Sequence, residues 1–224
     1  IINGVTDWVY EEELSFVRAF DWSPDGKYLA YLKFNENDVP EFSMDVYGTY
    51  GNDLYPEQEV FKYPKAGEEN AEVSLHIYNS DSGITQQVDL GDYYYIPRLK
   101  WTKKDNILSV QTTNRHQNEL NLILVNADDN SAETVLTETD EAYVDVTDNL
   151  TFLEDNSFIW TSEKNGWNHI YYYSESGKLI NQVTDGEWEV TNYYGYNPKS
   201  KQIYYQSTET GSINRGVYSV KING

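Results

Sequence analysis

The sequence predicts an all-β fold: a partial, open β-propeller of about four four-stranded blades. Three observations carry this reading. The first is composition. The chain has 224 residues, is 39% hydrophobic and 15% aromatic, and carries 21 tyrosines, so it buries a substantial core. Tyr, Trp, Val, Ile and Thr recur in short runs, as strands require. The second is repetition of one unit: an aromatic strand, a polar turn and an apolar strand. The third is spacing, because the later copies follow at roughly 40–50 residues, the period of four-stranded blades. A plain β-sandwich of meanders is the alternative, and repetition at one period favours the propeller.

Residues 1–16 are expected to be the remnant of a preceding blade, with Trp8-Val9-Tyr10 ending a strand and Glu11-Glu12-Glu13 facing a loop or short helix. The first full unit, 17–90, opens with Phe20-Asp21-Trp22-Ser23-Pro24-Asp25-Gly26-Lys27-Tyr28-Leu29-Ala30-Tyr31. There Asp25-Gly26 signals a tight turn between apolar runs. Phe34–Gly67 is inserted between its strands, and a third strand follows at Leu75–Asn79. The second unit, 96–138, opens with Leu99–Val110 and continues with Leu120–Asn126. The third, 150–188, opens with Leu150–Trp160 and continues with His169–Ser174. The last, 193–224, opens with Tyr194–Tyr205, continues with Gly216–Ile222 and is incomplete. Fourth strands end near Leu90, Leu136 and Val183. The chain opens at Ile1, which suggests a piece of something longer.

The net charge is −21. Such a balance opposes nucleic acid and anionic membrane surfaces, and it reads either as a solubilising surface or as a field for cationic ligands. There is no cysteine, which excludes disulfides, thiol catalysis and zinc–thiolate sites. No apolar run approaches a membrane span.

The segment Thr6-Asp7-Trp8-Val9-Tyr10-Glu11-Glu12-Glu13-Leu14 places three adjacent carboxylates after two aromatics. One reading is a solvated charge run. A glycosidase-like catalytic pair is another, but it needs carboxylates about 5–10 Å apart on opposite sides of a bond. Adjacent residues are better suited to gripping one compact cation. An ammonium offers three donors and no acceptor, and two carboxylates on one side satisfy two of them with charge-assisted bonds.

These residues resemble the double-glutamate motif of the dipeptidyl peptidase IV family. The likeness continues through Trp22–Tyr31, Phe34-Asn35, Val39-Pro40 and Tyr63-Pro64-Lys65-Ala66-Gly67. It extends to Asn114-Arg115-His116-Gln117-Asn118, Asn165–Ile170 and Asp185–Val190, in the same order. The acidic motif and the Tyr-Pro-Lys-Ala-Gly segment are the specific parts, whereas the Ser-Pro-Asp-Gly turn occurs in many propellers. The resemblance implies part of an eight-bladed propeller that covers an α/β-hydrolase domain in a serine exopeptidase. Such enzymes release N-terminal dipeptides with proline or alanine in second place. It also implies that Glu12 and Glu13 bind the substrate's α-ammonium, so the expected partners are peptides with a free N-terminus and the protein's own C-terminal hydrolase domain. The insertion 34–67 resembles an extension used for dimer contacts, which makes a homodimer an expectation.

The sequence holds no Gly-x-Ser-x-Gly nucleophile elbow, so this chain by itself is expected to be inactive. A free-standing or catalytically inactive propeller that binds peptides or proteins is the rival reading. No cofactor and no metal site are expected, and Asp128-Asp129-Asn130 reads as a turn. His76 and His169 are expected to be structural, and His116 to tie loops together. Arg115 is expected in an ion pair, or alternatively in contact with substrate or the hydrolase domain. Trp167 and Trp188 are expected in blade packing. The protein is expected to be exported, to a bacterial periplasm or cell envelope.

Overall fold

A computed structural model describes residues 1–48 and 54–224. The first sheet is built from β1 (Ile2–Asn3), β2 (Phe20–Trp22), β3 (Tyr28–Asn35), β6 (Glu72–Asn79) and β7 (Ile84–Gln87), with helix α1 (Trp8–Leu14) between β1 and β2. A separate hairpin, β4 (Glu41–Val46) and β5 (Glu57–Lys62), lies between β3 and β6. Residues 49–53, within the expected 34–67 insertion, lie outside the described residues. The second sheet contains β8 (Tyr95–Trp101), β9 (Ile107–Thr113), β10 (Glu119–Asn126) and β11 (Ala132–Thr139). The third contains β12 (Thr151–Phe152), β13 (Phe158–Ser162), β14 (His169–Tyr173) and β15 (Leu179–Gln182). The last contains β16 (Val190–Asn197), β17 (Gln202–Ser207) and β18 (Gly216–Lys221). All pairings within these sheets are antiparallel meanders.

Successive sheets pack face to face, and strand alternation explains how. In β10, Leu120 and Leu122 join Phe158 and Trp160 of the third sheet, while Ile123 and Val125 join Leu108, Val110 and the first sheet's core. In β13, Phe158 and Trp160 face the second sheet, and Ile159 faces Val190, Ile203 and Tyr205 of the last. Side chains point alternately to opposite faces of a strand. Middle strands apolar on both faces therefore belong to an arc of stacked sheets.

Side-chain bonds tie neighbouring sheets at their first strands. Trp101 Nε1 donates to the Asp21 carbonyl at 3.0 Å, Lys100 Nζ to the Leu150 carbonyl at 3.1 Å, and Tyr193 Oη to Thr151 Oγ1 at 3.1 Å.

One expectation is corrected here. Residues 1–16 are not left over from a preceding blade, because Ile2 pairs with Phe34 and Asn3 with Lys33 of β3. The same strand pairs with β2 through Phe20↔Tyr31 and Trp22↔Leu29. β1 and β2 are thus two halves of one edge strand, interrupted by α1.

Candidate functional site

The interruption has a defined stem. Gly4 N–H donates to the Leu32 carbonyl at 2.9 Å, Leu32 N–H to the Ala19 carbonyl at 2.8 Å, and Ala19 N–H to the Gly4 carbonyl at 3.1 Å. Val5 and Arg18 form one further bridge. Gly4 has φ 74°, and a Cβ there would lie 3.4 Å from the Phe20 ring. Its lack of a side chain lets the chain leave the strand at that point.

Asp7 then caps the helix. Its carboxylate accepts the Tyr10 N–H at 3.0 Å, the usual N-cap bond. That bond corrects the expectation that Trp8-Val9-Tyr10 end a strand: aromatic and β-branched content suggests strand, but the cap and burial of one helical face decide for helix. Val9, Tyr10 and Leu14 are buried, and Glu11, Glu12 and Glu13 are exposed. Burial is the main reason that the Asp7 carboxyl is raised above its ordinary value, with Glu36 adding to it.

Tyr10 anchors the helix. Its ring packs edge-on against Phe34 at 4.9 Å and Tyr95 at 6.1 Å, and its hydroxyl accepts the Ile96 N–H at 2.9 Å. At the far end Ser15 turns left-handed, φ 50°, and Phe16 N–H returns to the Tyr10 carbonyl at 3.0 Å. Arg98 Nη1 donates to the Leu14 carbonyl at 2.8 Å while its guanidinium pairs with Asp148. A cation at a helix C-terminus is favourable.

Trp8 meets Tyr63 with ring centroids 4.3 Å apart, and Tyr63 packs on Phe42 and Phe61 of the β4–β5 hairpin. These contacts close one wall of a cleft of about 410 Å³. Trp8, Glu13, Tyr63, Lys65, Tyr95 and Arg115 are among the residues that line it. Lys65 opens a tight turn in which its N–H donates to Glu68 at 2.8 Å, and its ammonium sits 5.4 Å from the Phe42 ring centre. Glu12 is exposed on α1 but does not line this cleft. Glu11, Glu12 and Glu13 have no ion-pair partner among the described residues.

The expectation of a buried ion pair within this chain is corrected for Arg115: it is exposed, has no carboxylate partner among the described residues, and lies over the Tyr94 and Tyr95 rings at 5.2 and 5.9 Å. Cation–π attraction fixes it without a counter-ion. His116 is also exposed, and the loop is tied instead by Asn114 and Asn118, which exchange bonds of 2.8 and 3.1 Å. His169 is buried against Thr184 Oγ1 and the Gly186 carbonyl, and His76 pairs with Ser74 and stacks on Tyr31. Trp188 packs between His169 and Tyr205, but Trp167 is 42% exposed, so its expected packing role is corrected. Asp128–Asn130 form a turn, with Asn130 at φ 58°. Asp7, Tyr10, Tyr95 and Arg98 build the site; Asp7 and Tyr10 lie in the acidic motif but were given no role of their own, and Tyr95 and Arg98 were not singled out by sequence. Only Asp7, a capping residue type just before an apolar position, carried a local signal.

The family described as the dipeptidyl peptidase IV N-terminal region matches residues 1–224. The chain belongs to that family. Its similarity extends to a crystal structure of Porphyromonas gingivalis dipeptidyl peptidase 4. The TM-score is 0.91 at 39% identity, over 97% of this chain and 31% of that one. Among curated relatives, a probable dipeptidyl-aminopeptidase B of Pyrenophora teres f. teres is 32% identical over 100% of this chain and 28% of its own length. A dipeptidyl peptidase 4 of Trichophyton equinum is 32% identical over 98% of this chain and 30% of its own. This dipeptidyl peptidase IV region therefore spans about a third or less of the relatives that it matches. The stacked sheets are a partial propeller of this family's kind. Among the described residues, no helix is long and apolar enough to cross a membrane.

Proposed function

We propose that this region recognises the substrate of a serine-type dipeptidyl peptidase, holding the peptide's α-ammonium through Glu12 and Glu13. The reaction itself belongs to a hydrolase domain in the remainder of the protein. The observation that carries the reading is Glu13 on the wall of a cleft, beside Glu12 on a short helix, with no cation neutralising either among the described residues. The names of the relatives support the reaction class.

The carboxylates act as a ruler. Two extended residues span about 7 Å, so an anchored amine presents the bond after the second residue to a nucleophile held elsewhere. Fixing a reacting group in place lowers the barrier by removing orientational freedom.

The test is steady-state kinetics of the full-length protein on X-Pro and X-Ala peptides. Glu12→Ala or Glu13→Ala each removes a charged hydrogen bond worth about 1.5–3 kcal/mol, so kcat/KM should fall roughly 10-fold to 150-fold. Near-normal kinetics in both variants would sink the amine anchor.

The β4–β5 hairpin is proposed as a subunit contact. It pairs with no other sheet among the described residues and exposes Met44, Tyr55 and Val60 around its strands.

A further inference from the structure

The cleft beside α1 holds charges of both signs. Glu13 and Glu68 are its acids, and Lys65 and Arg115 its bases. Glu68 is committed to the turn through the Lys65 N–H, and the Lys65 ammonium is over Phe42. One carboxylate and one guanidinium remain, and neither has an ion-pair partner among the described residues.

The structure holds Arg115 in place by other means. It occupies the β9–β10 turn, where Gln117 adopts φ 55° and the Asn114–Asn118 bonds brace both sides. Its guanidinium rests on Tyr94 and Tyr95. The Tyr95 hydroxyl takes the Asn70 amide at 3.1 Å, and its ring packs on Tyr10 of α1. The same aromatic cluster thus positions the helix that bears Glu13 and the arginine facing the cleft. A guanidinium presents a fork of donors matched to carboxylate geometry.

We infer that Arg115 reads the side chain of the substrate's first residue and favours a carboxylate there over its uncharged isostere. The inference rests on the amine-anchor reading. The carbon that bears the ammonium also bears the first side chain, so a peptide held at Glu13 places that side chain in the cleft that Arg115 lines. A Glu-Pro N-terminus then meets opposite charges at both of its own charged groups.

The experiment uses the full-length peptidase and two peptides that differ only as Glu-Pro and Gln-Pro at the N-terminus. The readout is the ratio of their kcat/KM values. An exposed pair of this kind is worth about 0.2–1 kcal/mol, so Arg115→Gln should lower the ratio about 1.4-fold to 5-fold. Arg115→Lys should lower it less, Arg115→Glu more, and added salt should shrink the wild-type ratio. An unchanged ratio in Arg115→Gln overturns the inference, whether or not the Glu12 and Glu13 variants lose activity. Normal activity in the glutamate variants with a lowered ratio in Arg115→Gln would remove the amine anchor and leave Arg115 as a reader of acidic side chains.

Discussion

Removing one oxygen from Tyr10 should loosen the link between α1 and the second sheet. The register of β8 against β9 shifts between Tyr95 and Arg98, which takes the Ile96 N–H out of the regular ladder. The Tyr10 hydroxyl accepts that N–H at 2.9 Å, in a place where Tyr10 is 2% exposed and Ile96 0%. Burial pushes the phenol well above its ordinary range, so it remains a neutral hydroxyl in any working buffer. In Tyr10→Phe the ring contacts with Phe34 and Tyr95 are kept, and only the acceptor is lost. An orphaned buried amide costs about 1–3 kcal/mol. Part of this is offset because the hydroxyl itself no longer has to be buried, so the net loss should be about 1 kcal/mol. For a unit of 150–250 residues that corresponds to about 2–4 °C in Tm. The sharper assay is hydrogen exchange of the full-length protein, followed on a peptide containing Ile96. Exchange there should accelerate in Tyr10→Phe while strands of the last sheet keep their wild-type protection. Unchanged protection at Ile96, together with an unchanged Tm, would refute the view that this bond anchors the helix.

Asp7→Asn should keep the helix cap, since Asn is as good an N-cap as Asp, while removing a buried carboxylate. The folded-state pKa of Asp7 is raised above 3.8, so its contribution to stability is fully present below 3.8 and is lost as pH rises through the folded value. The variant should therefore gain on wild type as pH rises from 3.8 through the raised folded value, read as denaturation midpoints across a pH series, and parallel curves would contradict this. Trp8→Ala and Tyr63→Ala should be non-additive, because their rings are 4.3 Å apart. A double-mutant cycle should give a coupling of about 0.5–1.5 kcal/mol beyond the loss of area, and a coupling near zero would mean that the hairpin and α1 are held independently.

The middle strands of the second and third sheets were legible because apolar residues fall on both of their faces. Leu120 to Val125 and Phe158 to Trp160 announce themselves by composition, and their turns by Asp-Gly, Asn-Ser and Asn-Pro pairs. The edge position was not legible. Ile2 and Asn3 look like the end of any strand, and only their pairing with Phe34 and Lys33 shows that β1 and β2 form one interrupted strand. The helix was missed for a related reason. Trp8-Val9-Tyr10 is a good strand sequence, and tertiary burial of Tyr10 overrides that local preference. The acids were visible because charge density is a property of composition. Arg115 was expected to seek a carboxylate, but the Tyr94 and Tyr95 rings that hold it lie twenty residues upstream in the chain, beyond any local pattern.

This arrangement separates the demands of folding from those of binding. Glutamates packed at adjacent positions within a paired strand would repel one another and face the sheet's neighbours, and the strand would lose alternate burial. Moving them onto an excursion closed by Gly4 and Ala19 leaves the register of β3 intact on both sides of Leu32. The excursion is then held by contacts that do not involve the acids: Asp7 to the Tyr10 N–H, Tyr10 to Ile96, Arg98 to the Leu14 carbonyl, and Trp8 to Tyr63. It follows that the acids themselves contribute little to stability. Neutralising Glu12 or Glu13 should leave Tm unchanged or raise it slightly by relieving repulsion, while kcat/KM falls. A variant that lost both together would show that the glutamates hold the fold, and their exposure and lack of described partners argue against that outcome.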